Sequence, residues 1–451
     1  MRRGHKAIVI ACTVLVLISM TTSHAWAAGL HFTKAEVAIW RARKDKGPYK
    51  DEWGVILNRA NSWLESPDPR WAGNTKNVCW EDAGLSWPDR RLDAGLRDAA
   101  FVYLITDDSS YRDGARDELI AQTKVPGTDW TNDAKWCKGN NSATSKAHNI
   151  AHWLRRLVYG YSYIRDSLTA GDRTILDAWF LAAGQYFELV VHNVVAKRFA
   201  NRLDDDYTCT GGGNFCPGLE EGLLHFGGPT AYNFHGFCQN QIASTMATAT
   251  AIGVVVNDAT LKARGKRYVK EFVKYGTWPG GQVMDQHRWN GATPQHGFLY
   301  MAVALGSVIT MADHLARDGD TEPYQFTTTE GRYGTEGGPK SLLTALQHFA
   351  GMTNGTVIEY ASTVATNNPD LIIDQEAEAA FGQTRVEFVN ITPANVFYQD
   401  SEVAKAYQTP IPSRFDGSGC DMLSGDWCTY PRIRFMFGQM EGKVWPSQRI
   451  K

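Results

Sequence analysis

The stretch Ile242-Ala243-Ser244-Thr245-Met246-Ala247-Thr248-Ala249-Thr250-Ala251-Ile252-Gly253-Val254-Val255-Val256 decides the fold. It is apolar and rich in Ala, Thr and Val, as expected of a helix packed on several sides rather than along one stripe. Outward from it, helical spacing dominates the chain. Thr33-Lys34-Ala35-Glu36 reads as a capping box before Val37, Ile39 and Trp40. Trp53, Ile56, Leu57, Ala60 and Leu64 continue at helical intervals, and Leu96, Ala99, Ala100, Tyr103 and Leu104 repeat the pattern over 92–105. Further helices are expected over 109–123, 146–167, 170–197, 232–256, 258–275, 296–317, 340–351 and 369–381, separated by Gly, Pro, Asp or Asn clusters.

The segments 66–90, 124–145, 201–230, 276–295 and 318–339 read as long loops rich in Trp, Gly, Asn and charge. Long loops within a compact domain usually carry function. Helical patterning fades from about residue 383. Val386-Glu387-Phe388-Val389 reads as a short strand and 409–431 as a disulfide-tied loop. Periodicity alone gives an all-α class. Paired helices with long connections on one face suggest an α/α toroid, a single domain over 28–451 whose residues 383–451 form a loop-rich extension.

Residues 1–27 read as a signal peptide. Arg2, Arg3 and Lys6 precede the apolar run Ala7 to Met20, and Ala25-Trp26-Ala27 is an A-x-A cleavage site. The run is short for a membrane span, so the expectation is a secreted protein, extracellular or periplasmic, with no membrane association after removal of the leader. Lys and Arg total 46 against 48 Asp and Glu. This balance argues against a nucleic-acid partner, which a basic excess would favour. A local basic cleft for an acidic substrate stays compatible with it. Beyond Cys12 in the leader, Cys209/Cys216 and Cys420/Cys428 close short Gly-rich loops. They are the preferred disulfide pairs, with Cys79/Cys137 a third and Cys238 a buried odd thiol. No C-x-x-C or H-E-x-x-H pattern points to zinc, and no metal or cofactor is expected. Asn140, Asn354 and Asn390 begin N-x-S/T sequons, which matter only in a glycosylating host.

Two segments concentrate chemistry. Tyr232-Asn233-Phe234-His235-Gly236-Phe237 opens the helix expected over 232–256. Gly280-Gly281-Gln282-Val283-Met284-Asp285-Gln286-His287-Arg288 leads to Gln295-His296-Gly297-Phe298-Leu299-Tyr300. The second gathers a cation, two imidazoles and a phenol between two expected helices. Alone, each residue has an ordinary reading as a capped His, a core Tyr or a surface Arg. Their co-occurrence in order carries the case.

That order resembles the alginate lyase-like superfamily of polysaccharide lyases, an α/α-toroid group. Asn233-Phe234-His235-Gly236 is similar to its N-N-H-G stretch, with Phe234 in place of the second Asn. Gly280-Gly281-Gln282 stands for its D-G-S-like turn, Arg288 for its arginine, and Tyr300, with Leu305 and Ala312 behind it, for its tyrosine. The Phe32-Thr33 to Pro48 segment and the helix of His148-Asn149-Ile150-Ala151-His152-Trp153 share the group's character. The resemblance covers most of 30–320, and the Arg288–Tyr300 gap is longer than is usual for the group.

The resemblance implies β-elimination on a 4-linked uronate polysaccharide of alginate or glucuronan type, with Tyr300, His235, Arg288 and Asn233 as catalytic residues. As substrate-binding residues it implies Asn149, His148 and Tyr232, together with His287, His296, Gln295 and Trp289. The chemistry suits these residue types. The uronate C5 proton is weakly acidic, and its removal builds a second negative charge beside the carboxylate. Fixed donors must therefore neutralise the carboxylate first: His235, Arg288 and an amide, either Asn233 or Asn149. A phenol titrates near ~10, and a cation lowers it. Either Tyr300 or a neutral His235 then serves as base, with Tyr300 as the acid to O4. The rivals are a glycoside hydrolase and a non-catalytic glycan-binding protein. The hydrolase would need a carboxylate pair drawn from Asp285, Glu220, Glu221 and Asp204-Asp205-Asp206.

Overall fold

A computed structural model describes residues 29–30, 32–65, 92–124, 143–199, 238–284, 295–331, 334–353, 391–405 and 435–436. The expected capping box forms. Thr33 Oγ1 accepts from the Glu36 backbone N–H, and the Glu36 carboxylate accepts from the Thr33 N–H at 2.7 Å, which starts α1, Lys34–Arg43. The chain then turns at Lys44–Lys46, so the apolar spacing that follows belongs to a separate helix, α2, Gly47–Glu65. Next come α3 (Leu92–Thr106), α4 (Ser109–Thr123), α5 (Ala143–Ile164, ending in the 3₁₀ turn Arg165–Ser167), α6 (Ala170–Phe199) and α7 (Asn240–Val256). Then follow α8 (Ala259–Gly276) and α9 (Gln295–Arg317).

The helices lie in two layers. The odd ones pack on one another, α3 on α5, α5 on α7 and α7 on α9, while α2, α4, α6 and α8 cover them from outside. Side-chain registers give the directions. His148 meets Ser244, and seven residues on, Arg155 meets Thr248, so α5 and α7 run parallel. A Cβ at Gly253, Gly265 or Gly276 would meet Leu261, Thr250 and Cys238 respectively, so α7 and α8 run antiparallel. Parallel inner helices joined through antiparallel outer ones make an α/α arc, the all-α class and helix-pair architecture expected of an incomplete toroid.

The apolar run now has its explanation. Every residue from Ile242 to Gly253 is buried. One end of α7 (Ala249, Ala251, Ile252) belongs to the apolar cluster of α1–α6, and the other (Ile242, Ala243, Met246, Ala247) to that of α8, α9 and later elements. A helix buried all round cannot carry a charged face. At the α1 end, Phe32, Trp40, Phe101 and Tyr163 pack with centroids 5.3–6.0 Å apart. Phe435 joins this group at 6.0 Å from Phe101, and the Trp40 indole N–H donates to the Met436 carbonyl at 2.6 Å. Burying each such ring stabilises by about 1.5–3 kcal/mol.

Several expectations change. The single helix over 232–256 does not form, because Gln239 is extended and α7 begins at Asn240. The loop expected over 318–339 contains a short helix, α10 (Glu322–Gln325), and an antiparallel hairpin of β1 (Thr327–Gly331) and β2 (Gly334–Ser341). The hairpin delays the next helix, α11, to Leu342–Thr353. Within the extension, 391–398 and 401–405 are helical (α12, Ile391–Tyr398; α13, Ser401–Lys405) and pack on α9 and α11. The helix expected at 369–381, the strand at 386–389, the signal peptide, the sequons and every cysteine of the expected pairs lie outside the described residues. Cys238 is buried, as expected. No helix among the described residues is long and apolar enough to cross a membrane.

Candidate functional site

The amino-terminal ends of α5, α7 and α9 lie at the same end of the inner layer. Tyr159 Oη of α5 is 3.3 Å from His314 Nε2 of α9, which sets the level of the two helices. Counting back at about 1.5 Å per residue puts residue 300 roughly one helical turn beyond the level of His148. Both helices thus begin near Asn240, where α7 begins. The end of α8 is here too, since Gly276 abuts Cys238. The chain then makes a tight hairpin. The Gly281 N–H donates to the Trp278 carbonyl at 2.9 Å, the Trp278 N–H donates to the Gln282 carbonyl at 3.0 Å, and Thr277 pairs with Val283. Pro279 starts the turn, and Gly281 takes φ +88°, which glycine adopts without strain. The turn rests on α11. His348 is bonded to the Gly280 backbone, and burial lowers its pKa to about 4.

Inside this end, a polar seam joins α5 to α7. His148, His152, Arg155 and Tyr159 form one stripe of α5 at intervals of three or four residues. Ser244 and Thr248, four apart on α7, face them. His148 Nδ1 is 2.8 Å from Ser244 Oγ, and His152 Nε2 is 3.3 Å from the same oxygen. The two imidazoles meet edge to face with centroids 4.2 Å apart. Arg155 Nε donates to Thr248 Oγ1 at 3.0 Å, and its Nη2 donates to the Ser244 carbonyl. Burial lowers the Arg155 pKa, with Tyr159 opposing the shift. An arginine stays charged through such a shift. Its partners here are neutral acceptors, and among the described residues it meets no carboxylate.

Farther along, the polar groups satisfy one another. Burial, reinforced by the positive charges of Arg317 and Arg155, pushes the His314 pKa down to about 3, and a hydrogen bond with the Leu30 backbone only partly offsets this. Arg317 pairs with Asp313 at 2.8 Å and with Glu36 at 3.1 Å, so the last turn of α9 is tied to the first turn of α1. The inner layer thus holds a compensated ion cluster near α1 and, about one turn from Tyr159 along α5, a buried cation that meets no carboxylate among the described residues; the amino termini of α5, α7 and α9 lie farther toward the other end. Each such terminus is equivalent to roughly +0.5 elementary charge. No grouping of three His, Cys, Asp or Glu side chains suited to a metal occurs among the described residues.

Of the residues singled out in the sequence, His148 is placed in full, buried in this seam. Asn149 is on α5, Gln295 and His296 are in the first turn of α9, and Tyr300 is in its second turn; for these the backbone alone is described. Residue 300 stands seven before Ser307 and fourteen before His314, which keeps the three positions on one stripe of α9. Tyr232, Asn233, His235, His287, Arg288 and Trp289 lie outside the described residues, as do Asp285, Glu220, Glu221 and Asp204-Asp205-Asp206. Sequence reasoning missed His152, Arg155, Ser244 and Thr248. Their signal was present as polar residues three or four apart on otherwise apolar helices.

No family model and no curated protein matches the chain. Among solved structures, a crystal structure of an alginate lyase from Bacteroides ovatus is similar at 12% identity and a TM-score of 0.49, over 88% of this chain and 99% of that one.

Proposed function

We propose that this protein is a secreted polysaccharide lyase that cleaves 4-linked uronate polysaccharide, of alginate or glucuronan type, by β-elimination. The observation that carries the reading is the positive end of the inner layer. The amino termini of α5, α7 and α9 gather there, and deeper in the same seam Arg155 is buried and meets no carboxylate among the described residues. Such an end attracts an anionic ligand. The residues that adjoin the sequence motifs in the chain are at this same end: Cys238 follows the Asn233–His235 motif, and Met284 and Gln295 flank the segment that carries Arg288.

In this reading Arg288, His235 and an amide from Asn233 or Asn149 neutralise the uronate carboxylate. The C5 proton then leaves to Tyr300 or His235, and Tyr300 delivers a proton to the departing O4. The positive end favours the carbanion-like transition state, in which charge builds next to the carboxylate. Neighbouring cations also lower the phenol pKa, as removal of a proton by Tyr300 requires.

The test is product formation on mannuronan, guluronan and glucuronan. The lyase reading expects an ultraviolet-absorbing unsaturated sugar end, formed without new hydrolytic ends. Tyr300→Phe should abolish that signal while calorimetry still detects polymer binding. Reducing ends without the chromophore would make the protein a glycoside hydrolase, and binding without either product would make it a glycan-binding protein.

A further inference from the structure

Lys262, Lys266, Lys270 and Lys274 recur every fourth residue along α8 and wind along one side of it, about one per turn. Like charges at that spacing repel one another. Each lysine is matched by a carboxylate of the segment that follows α9. Lys262 pairs with Asp318 at 2.9 Å, Lys266 with Asp320 at 2.9 Å and with Glu322, Lys270 with Glu322 at 2.8 Å, and Lys274 with Glu330 at 2.6 Å. The partners rise in the same order on both sides, so 318–330 runs along α8 toward its carboxyl end. Lys266 and Lys270 share Glu322, and their hydrogen bonds lower its pKa to about 2.

We infer that 318–331 is an electrostatic strap whose register on α8 is set by the lysine row, and that the strap places the hairpin against the turn at 277–283. The segment's apolar anchor is Tyr324, which is buried and stacks on Phe397 with centroids 4.8 Å apart. Apolar burial is non-directional, so one anchored ring fixes a point and not a path along the helix. The ion pairs on both sides of it supply the path. Past Tyr324, the Lys270 ammonium lies 5.0 Å from the centre of the Phe326 ring, and Lys274 reaches Glu330 of β1. β2 returns at the same end. A Cβ at Gly338 would stand 3.2 Å from Pro279 Cβ, and α11 receives Gly281 against Thr344 and His348. Strap, hairpin and turn therefore form one unit. A single exposed ion pair contributes little, but this row is a network, and the strap also offsets the repulsion among the lysines. Salt screens such a network and leaves the apolar packing of α5 and α7 in place.

The test is amide hydrogen exchange of the full chain in about 10 mM and about 1 M sodium chloride, between which the screening length falls from about 30 Å to about 3 Å. Exchange over 318–331 and 277–283 should rise together, about tenfold, while α5 and α7 hold. Glu322→Gln leaves Lys270 without the carboxylate it pairs with, between Lys266 and Lys274. It should speed exchange of the strap at low salt and lessen the response to salt. Adding Lys270→Met, which keeps the stem against Phe326 and removes the unmatched charge, should bring low-salt exchange back toward that of the wild type. Exchange that does not change with salt, or that rises equally over α5 and α7, would overturn the strap. Loosening of the strap over an unchanged turn would overturn its coupling to the turn. A double variant that exchanges faster than Glu322→Gln would overturn the role given to charge along the lysine row.

Discussion

His314 should make the fold acid-sensitive well above the range in which carboxylates titrate. Its pKa is pushed from 6.5 to about 3 by burial and by the positive charges of Arg317 and Arg155. The unfolded chain therefore takes up this proton first as the pH falls. The stability contributed by the neutral imidazole is complete above about pH 6.5, declines below it, and is lost by about pH 3. Each unit in that window costs about 1.4 kcal/mol. At pH 5 the loss is about 2 kcal/mol, a large share of the 5–15 kcal/mol typical of a folded domain. The perturbation is His314→Gln, which can still bond to Tyr159 but does not titrate. Urea midpoints read at about pH 8, 6.5 and 5 are the assay. The variant should start lower, through lost packing and hydrogen bonding, and then fall about 2 kcal/mol less than the wild type between pH 8 and 5. Parallel curves would show that His314 is not held neutral in the fold, and the account of its buried charge environment would be wrong.

Four further outcomes are expected. In Gly281→Ala the new Cβ would stand 2.3 Å from the Thr344 carbonyl oxygen and 2.6 Å from His348 Cβ, at φ +88°. Destabilisation of at least about 2 kcal/mol should appear in the melting temperature, with loss of activity because the turn leads into the Arg288 segment. Gly265→Ala would place a Cβ 2.1 Å from Thr250 Oγ1 and force α8 away from α7, at a cost of about 1–3 kcal/mol in chemical denaturation with little effect on any site. Arg317→Met strands the buried carboxylates of Asp313 and Glu36, and should cost about 3–5 kcal/mol, partly recovered by adding Glu36→Gln. Arg155→Met should do the opposite, holding or raising the melting temperature while abolishing polymer turnover. A large drop in melting temperature would place Arg155 among the structural groups instead.

How much of this was legible in the sequence follows from the range of each signal. Local signals read true: the Thr33/Glu36 capping box forms, and α4 starts at Ser109 as its spacing predicts, capped by Asp108. Apolar periodicity found α3, α6, α8 and α9 to within a few residues, because one buried stripe repeats over many turns. It failed where continuity of composition hid a change of backbone. Tyr232 to Val256 looks unbroken, yet Gln239 is extended. The run Thr327-Thr328-Thr329 is β-branched and soon followed by Gly331, a hairpin signal that was overlooked because its neighbourhood is polar. Most of the expected site residues lie outside the described residues. His148, singled out with its helix, lies in the α5–α7 seam, but Ser244 and Thr248 looked like ordinary members of an Ala/Thr/Val run. Their partners lie about a hundred residues away, and pairing at that distance leaves no trace in local spacing.

Arg155 and Arg317 are held in opposite ways. Both are buried arginines on inner helices. Arg317 is matched by two carboxylates and closes the far end of the arc, so its charge is spent within the protein. Among the described residues Arg155 is matched by a hydroxyl and a carbonyl, which orient the guanidinium without cancelling its charge. Leaving a cation in that state costs stability that an apolar pair at the same seam would not. A helix as apolar as α7 could have supplied that apolar pair, since Ala and Val already dominate its sequence. Departures of this kind from the most stable choice gather at functional sites. The amino termini of α5, α7 and α9 add positive potential at one end of the layer, and Cys238, Met284 and Gln295, which adjoin the Asn233–His235 and Arg288 segments in the chain, bound that end. An anionic polymer laid across that end would supply the charge that the seam lacks.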